Sequence, residues 1–170
     1  MKSPKRQINI PSILKIGKNE LTKIGQHLKQ NDILKVAVFY SEGIEELFGE
    51  KVDKSFKESG IEVLHKDSIE NIDIENIIHT AFKISKDVDA LIGIGGGKAL
   101  DYSKYCAHVL ALPFISVPTS TSNDGFCSPN SSLLVEGRRK SVKSTMPYGV
   151  IVDLEALKSS PESCILSGIG

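Results

Sequence analysis

The sequence carries no surplus of charge: 21 Lys and Arg stand against 21 Asp and Glu. No net field is available to recruit nucleic acid or an anionic membrane surface, so a nucleic-acid role is disfavoured. Long apolar runs are missing as well. A membrane-spanning helix needs about 20 consecutive apolar residues, and none occurs. The opening Met1-Lys2-Ser3-Pro4-Lys5-Arg6 leads into no apolar signal segment, and the protein is expected to be cytoplasmic. Cysteine is scarce. Cys106, Cys127 and Cys164 are odd in number and share no Cys-x-x-Cys spacing, which argues against a disulfide framework and a cysteine zinc site. The four histidines, His27, His65, His79 and His108, contain no i, i+4 pair of the metal-binding kind, so no complete metal site is expected in these residues.

What is present reads as one domain of ordinary size: 170 residues, 40% hydrophobic and 25% charged. Ile13 to Ile16 predicts a short strand, after which Asn19 is placed to cap a helix with Leu21, Ile24 and Leu28 on one face. Val36-Ala37-Val38-Phe39-Tyr40 is a continuous apolar run, as for a strand buried on both faces. A helix carrying Ile44, Leu47, Phe48 and Val52 ends at Gly60, and a strand over Ile61 to Leu64 follows. Asp73 is placed to cap a helix bearing Ile77, Ile78, Ala81 and Phe82. Beyond the next strand, Ala99, Ser103, Cys106, Ala107 and Leu110 recur at helical spacing, and Phe114-Ile115-Ser116-Val117 is a further buried strand. This alternation predicts an α/β, Rossmann-like parallel sheet with helices on both faces and right-handed crossovers. Leu133 to Val142 adds a β-hairpin turning at Glu136-Gly137, and Val150-Ile151-Val152 is a last buried strand ended by Asp153.

The most informative stretch is Leu91-Ile92-Gly93-Ile94-Gly95-Gly96-Gly97-Lys98-Ala99-Leu100-Asp101, an apolar strand running through glycines into a helix. Such a junction holds an anion, because glycine lets the backbone approach a phosphate and the first-turn N–H groups point at it. It is not a Walker A loop, since Ile92 stands at the first glycine position and Ala99 follows Lys98. Nor is it the usual dinucleotide fingerprint, because Lys98 replaces the third glycine. A tight turn without a ligand remains the alternative.

Gly95, Gly96 and Gly97 are the candidates for a pyrophosphate, with Lys98 and Asp101 in the first turn beside them. Asp101 suits either a ligand or the helix dipole. The loop Pro118-Thr119-Ser120-Thr121-Ser122-Asn123-Asp124-Gly125 leaves a strand at the ligand edge of the sheet. Thr119, Thr121 and Ser122 offer hydroxyls to a ribose, phosphate or carboxamide, or else to loop backbone. Asp124, its one carboxylate, is the candidate for a substrate contact or proton relay, or for an Asx turn. Of the basic group Arg138, Arg139, Lys140 and Lys143, Lys143 lies furthest from the hairpin tip and is the candidate phosphate contact.

The segments from Gly95 to Asp101, from Pro113 to Gly125 and from Pro147 to Asp153 strongly resemble the superfamily of glycerol dehydrogenases, iron-containing alcohol dehydrogenases and dehydroquinate synthases. The Ser-Thr-Ser-x-Asp-Gly continuation is most similar to the glycerol-1-phosphate dehydrogenase branch. The resemblance implies an NAD(P)-binding domain over residues 1–160, with residues 161–170 beginning a helical metal-binding domain absent from this chain. It implies a divalent metal (Zn, Fe or Ni) held by one Asp and two His that this chain lacks, a phosphorylated polyol substrate, and a homo-oligomer when full length. It places Thr119, Thr121 and Ser122 near the nicotinamide and Asp124 near the substrate. Many relatives carry an Asp on the adenosine ribose after the second strand, where this chain has Ser41 and Glu42. Whether Glu42 makes that contact decides between NAD and NADP. The expected activity is interconversion of glycerol 1-phosphate and dihydroxyacetone phosphate, this chain alone being inactive. The rival expectations are a glycerol or related polyol dehydrogenase, a dehydroquinate synthase-like cyclase, and a nucleotide-binding module without catalysis.

Overall fold

The computed structural model describes residues 10–120 and 125–158. In chain order these form β1 (Ile13–Gly17), a 3-10 turn (Glu20–Lys23), α1 (Ile24–Lys29), β2 (Lys35–Ser41), α2 (Ile44–Ser59), β3 (Glu62–Ile69) and α3 (Ile74–Lys83). Then come β4 (Ala90–Gly95), α4 (Gly97–Leu110), β5 (Phe114–Pro118), a hairpin of β6 (Asn130–Val135) and β7 (Arg138–Lys143), β8 (Gly149–Asp153) and α5 (Leu154–Lys158). Six strands make one parallel sheet in the order β1-β8-β5-β4-β2-β3.

The alternation of side chains along the central strands separates two cores. Val36, Val38 and Tyr40 of β2 pack with Ile24, Leu28, Val52 and Phe56 on one face. Ala37 and Phe39 pack with Ile77, Ala81, Cys106 and Ala107 on the other. Helices α1 and α2 thus cover one side and α3 and α4 the opposite side, which is why β4 and β5 are buried throughout and β2 at all but its end residues. The fold is the expected α/β, Rossmann-like sheet. Among the described residues no helix is long and apolar enough to cross a membrane.

The strand order contains one reversal. From β2 the chain moves outward to β3, then returns across β2 to β4 and continues to β5 and β8. The crossovers leave β2 and β4 on opposite sides of the sheet, opening a crevice beyond their carboxyl ends. In sheets of this kind that crevice is where ligands bind.

Three local expectations need correction. Asn19 does not cap with its side chain: it is left-handed at φ 58, and its carbonyl accepts the Thr22 N–H. The donor it was expected to satisfy is taken from far along the chain, where Asp153 Oδ2 accepts the Leu21 N–H at 3.0 Å. Asp73 likewise makes no side-chain cap, and its backbone bridges to Leu134 of the hairpin. Strand β3 runs to Ile69 rather than Leu64 and pairs with β2 from Glu62 to Ile69, with a register shift between Val36 and Ala37 that skips Leu64. Its second half, Lys66-Asp67-Ser68, is polar because β3 is an edge strand, and Lys66 there pairs with Glu45 and Asp53 of α2. The hairpin turn at Glu136-Gly137 is as expected, with φ of 53 and 73.

Candidate functional site

The glycine run does what its spacing predicts: β4 ends at Gly95, Gly96 precedes the helix, and α4 starts at Gly97. No side chain caps α4, and its first turn closes with the Leu100 N–H on the Gly96 carbonyl at 3.2 Å. The amides of the opening turn are therefore left to an external acceptor. Gly95 has φ +147, and a Cβ there would overlap the Ser41 hydroxyl and lie 2.6 Å from the Ser41 Cβ. The Gly96 N–H donates to Ser41 Oγ at 3.0 Å, tying the end of β2 to the turn across the crevice.

Lys98 cannot serve as the packing glycine of the usual fingerprint, and the structure shows which residue does. A Cβ on Gly93 would lie 2.8 Å from Ser103 Oγ and 3.2 Å from the Phe114 ring, so Gly93 is where α4 presses on β4. Lys98 itself is exposed.

The hydroxyl-rich loop starts beside the glycine turn. Pro118 pairs with Gly95, and the Thr119 N–H donates to the Gly95 carbonyl at 3.0 Å, with Thr119 buried. Thr121, Ser122 and Asp124 lie outside the described residues. Glu42 is exposed in the first position beyond β2.

Asp101 and its neighbour Lys104 form a junction. Lys104 is fully buried, its Nζ donating to the Gly125 carbonyl at 2.8 Å and pairing with Asp101 Oδ1 at 3.1 Å. The other Asp101 oxygen accepts the Ser132 N–H at 3.1 Å. One carboxylate and one ammonium thus fasten the end of the hydroxyl-rich loop and the hairpin to α4. Sequence reasoning missed Lys104, although its i, i+3 spacing from Asp101 was visible.

A cleft of about 530 Å³ lies between α4 and the hairpin, lined among others by Gly97, Lys98, Asp101, Ser132, Arg139 and Ser141. Lys143 shares the hairpin face of Arg139 and Ser141 but is exposed and does not line the cleft. Arg139 is the hairpin cation that does.

Burial shifts three titratable groups of the two cores. Burial, with Asp53 and Glu45 adding to it, pushes the Tyr40 phenol well above its ordinary value. Burial also raises Tyr102, whose hydroxyl donates to Thr80 Oγ1 at 2.7 Å, and lifts the Cys106 thiol to about 12. Among the described residues no group of three or more His, Cys, Asp or Glu could hold a metal ion. The residues present suit a dinucleotide: the helix start has no side-chain cap and lies between the hydroxyl residues Ser41 and Thr119, while the close approach at Gly95 is to Ser41 itself.

A doubly wound parallel sheet with a glycine turn at its reversal defines the class as a Rossmann-like α/β protein. The family model described as iron-containing alcohol dehydrogenase matches residues 15–161, and the chain belongs to that family. It is 38% identical over 168 residues to a Metallosphaera sedula protein named glycerol-1-phosphate dehydrogenase, with NAD(P)+ given in the name, covering 96% of this chain and 46% of that one. A Thermofilum pendens protein of the same name is 30% identical over 162 residues, covering 95% of this chain and 46% of that one. The chain thus spans about half the length of these relatives. The fold is similar to the crystal structure of glycerol dehydrogenase from Schizosaccharomyces pombe, with a TM-score of 0.86 and 24% identity over 98% of this chain and 43% of that one. It is also similar to an iron-containing alcohol dehydrogenase from Thermotoga maritima, with a TM-score of 0.82 and 20% identity over 95% of this chain and 51% of that one.

Proposed function

We propose that this chain is the cofactor-binding part of an NAD(P)-dependent oxidoreductase that interconverts glycerol 1-phosphate and dihydroxyacetone phosphate. The observation that carries the reading is the uncapped start of α4 at the reversal of the sheet, hydrogen-bonded to strand ends on both sides. Identity to proteins named glycerol-1-phosphate dehydrogenase over nearly the whole chain supports the substrate class.

NAD(P), when bound, accepts hydride from the alcohol carbon; the protein's part is to place it. Gly95, Gly96 and Gly97 bring the backbone close to the diphosphate, and the α4 amides and Lys98 face its charge. Thr119, with Thr121 and Ser122 beyond it, supplies hydroxyls on the nicotinamide side. Asp124 is the group for the substrate hydroxyl, as contact or proton relay. Asp101 acts at one remove, by anchoring the hairpin and Lys104. The family's metal would polarise the alcohol oxygen as a Lewis acid, but the described residues offer no ligand set for it.

The test is titration calorimetry of this chain with NAD+, NADP+ and ADP, alongside turnover of glycerol 1-phosphate followed by reduced-nicotinamide absorbance. Saturable nucleotide binding without turnover is expected. Absence of binding by any of the three would overturn the cofactor reading. Turnover with glycerol but not glycerol 1-phosphate by an enzyme that contains this chain and its metal ligands would overturn the substrate.

A further inference from the structure

One bond in the crevice is not explained by a glycine turn alone. Ser41 closes β2, and its Oγ accepts the Gly96 N–H at 3.0 Å from a residue 55 positions away. A serine hydroxyl has one donor and two acceptor sites, so accepting from Gly96 leaves its O–H to donate. No acceptor for that O–H is found among the described residues. The contact is also close: the Ser41 backbone N would lie 3.0 Å from a Cβ on Gly95, and the hydroxyl closer still. The β2 end and the turn are therefore fitted to each other, and the glycine at 95 is required by the serine at 41.

We propose that Ser41 is a positioning residue for the diphosphate of the cofactor, an inference that rests on the nucleotide reading above. Its Oγ turns the Gly96 N–H towards β2 and fixes the Gly95–Gly96 peptide, so that the following α4 amides face the anion. Its own O–H donates to a diphosphate oxygen held at that helix start.

The experiment compares wild type, Ser41→Ala and Ser41→Thr for binding of ADP and adenosine, with urea unfolding of each. For Ser41→Ala, ADP affinity is expected to fall about tenfold, the scale of one hydrogen bond to a charged group, while adenosine changes less than about twofold. Ser41→Thr, which keeps the hydroxyl, is expected to retain the preference for ADP. Equal losses for ADP and adenosine, no loss for either, or a Thr variant that behaves like Ala would overturn the role of Ser41. Failure of wild type to bind any nucleotide would instead overturn the cofactor reading itself.

Discussion

Replacing Gly95 with Ala adds one methyl group at the point where β2, β4 and α4 meet. Gly95 sits at φ +147, a region that costs a non-glycine residue about 1–3 kcal/mol. The new Cβ would overlap the Ser41 hydroxyl and come 2.6 Å from the Ser41 Cβ and 3.0 Å from its backbone N. The backbone of β2 cannot yield without disturbing its ladder to β4, in which Tyr40 is paired with Ile94. Moving Ser41 also breaks its bond from Gly96, worth about 1 kcal/mol. The sum is about 3 kcal/mol, a large share of the about 5–15 kcal/mol that holds a typical domain together. Gly60→Ala is the matched control: Gly60 also has positive φ, at 74, but a Cβ there meets nothing within 4 Å. It should cost only the backbone strain, about 1 kcal/mol. Urea unfolding of both variants, with ADP titration of each, separates strain from overlap. Gly95→Ala is expected to be the less stable by about 2 kcal/mol and to lose ADP binding, while Gly60→Ala binds normally. Equal stability of the two variants, with ADP binding intact in both, would refute the close-approach argument.

Two further predictions follow from buried charge. Lys104→Met removes the donor to the Gly125 carbonyl and leaves Asp101 without its cation. It is expected to destabilise by about 3–5 kcal/mol, and adding Asp101→Asn should recover part of that loss in urea unfolding. Additive losses would show that the two side chains do not act as a pair. For Glu20, burial pushes the carboxyl up, but hydrogen bonds from His27 and Lys23 and their charges outweigh it, so it lies below its ordinary value of 4.5. A depressed carboxyl contributes stability above its unfolded-state value and loses it as pH falls through its folded-state value. The stability difference between wild type and Glu20→Gln should therefore be full above pH 4.5 and shrink on acidification below it. A difference that stays constant across that acid range would contradict the assignment.

The parts of the fold that sequence made legible are those written in local pattern. Continuous apolar runs marked β2, β4 and β5, helical periodicity marked α2 and α4, and Glu136-Gly137 marked the hairpin turn. The glycine run also announced a strand-to-helix junction, because strand, turn and helix are contiguous there. What stayed hidden was set by partners distant in the chain. Asp153 reads as the end of a strand, yet its carboxylate accepts N–H groups from Leu21, 132 residues away, and from Glu155, so that one side chain serves two helix starts. Asn19 and Asp73 carry the residue types of caps without the bonds, since residue type records a capacity that neighbours then use or leave unused. Lys104 lies among the small, buried positions of α4, and an isolated lysine there gives no sign that Gly125 and Asp101 will enclose it. Ser41 is the sharpest case. The strand order brings β2 against β4, and only that adjacency converts a serine at a strand end into a partner of Gly96. The chemistry of the crevice is therefore specified jointly by a local glycine signal and by a topology that no single segment encodes. That is why substitutions at Gly95 and at Ser41 should weaken the same function although 53 residues separate them in the chain.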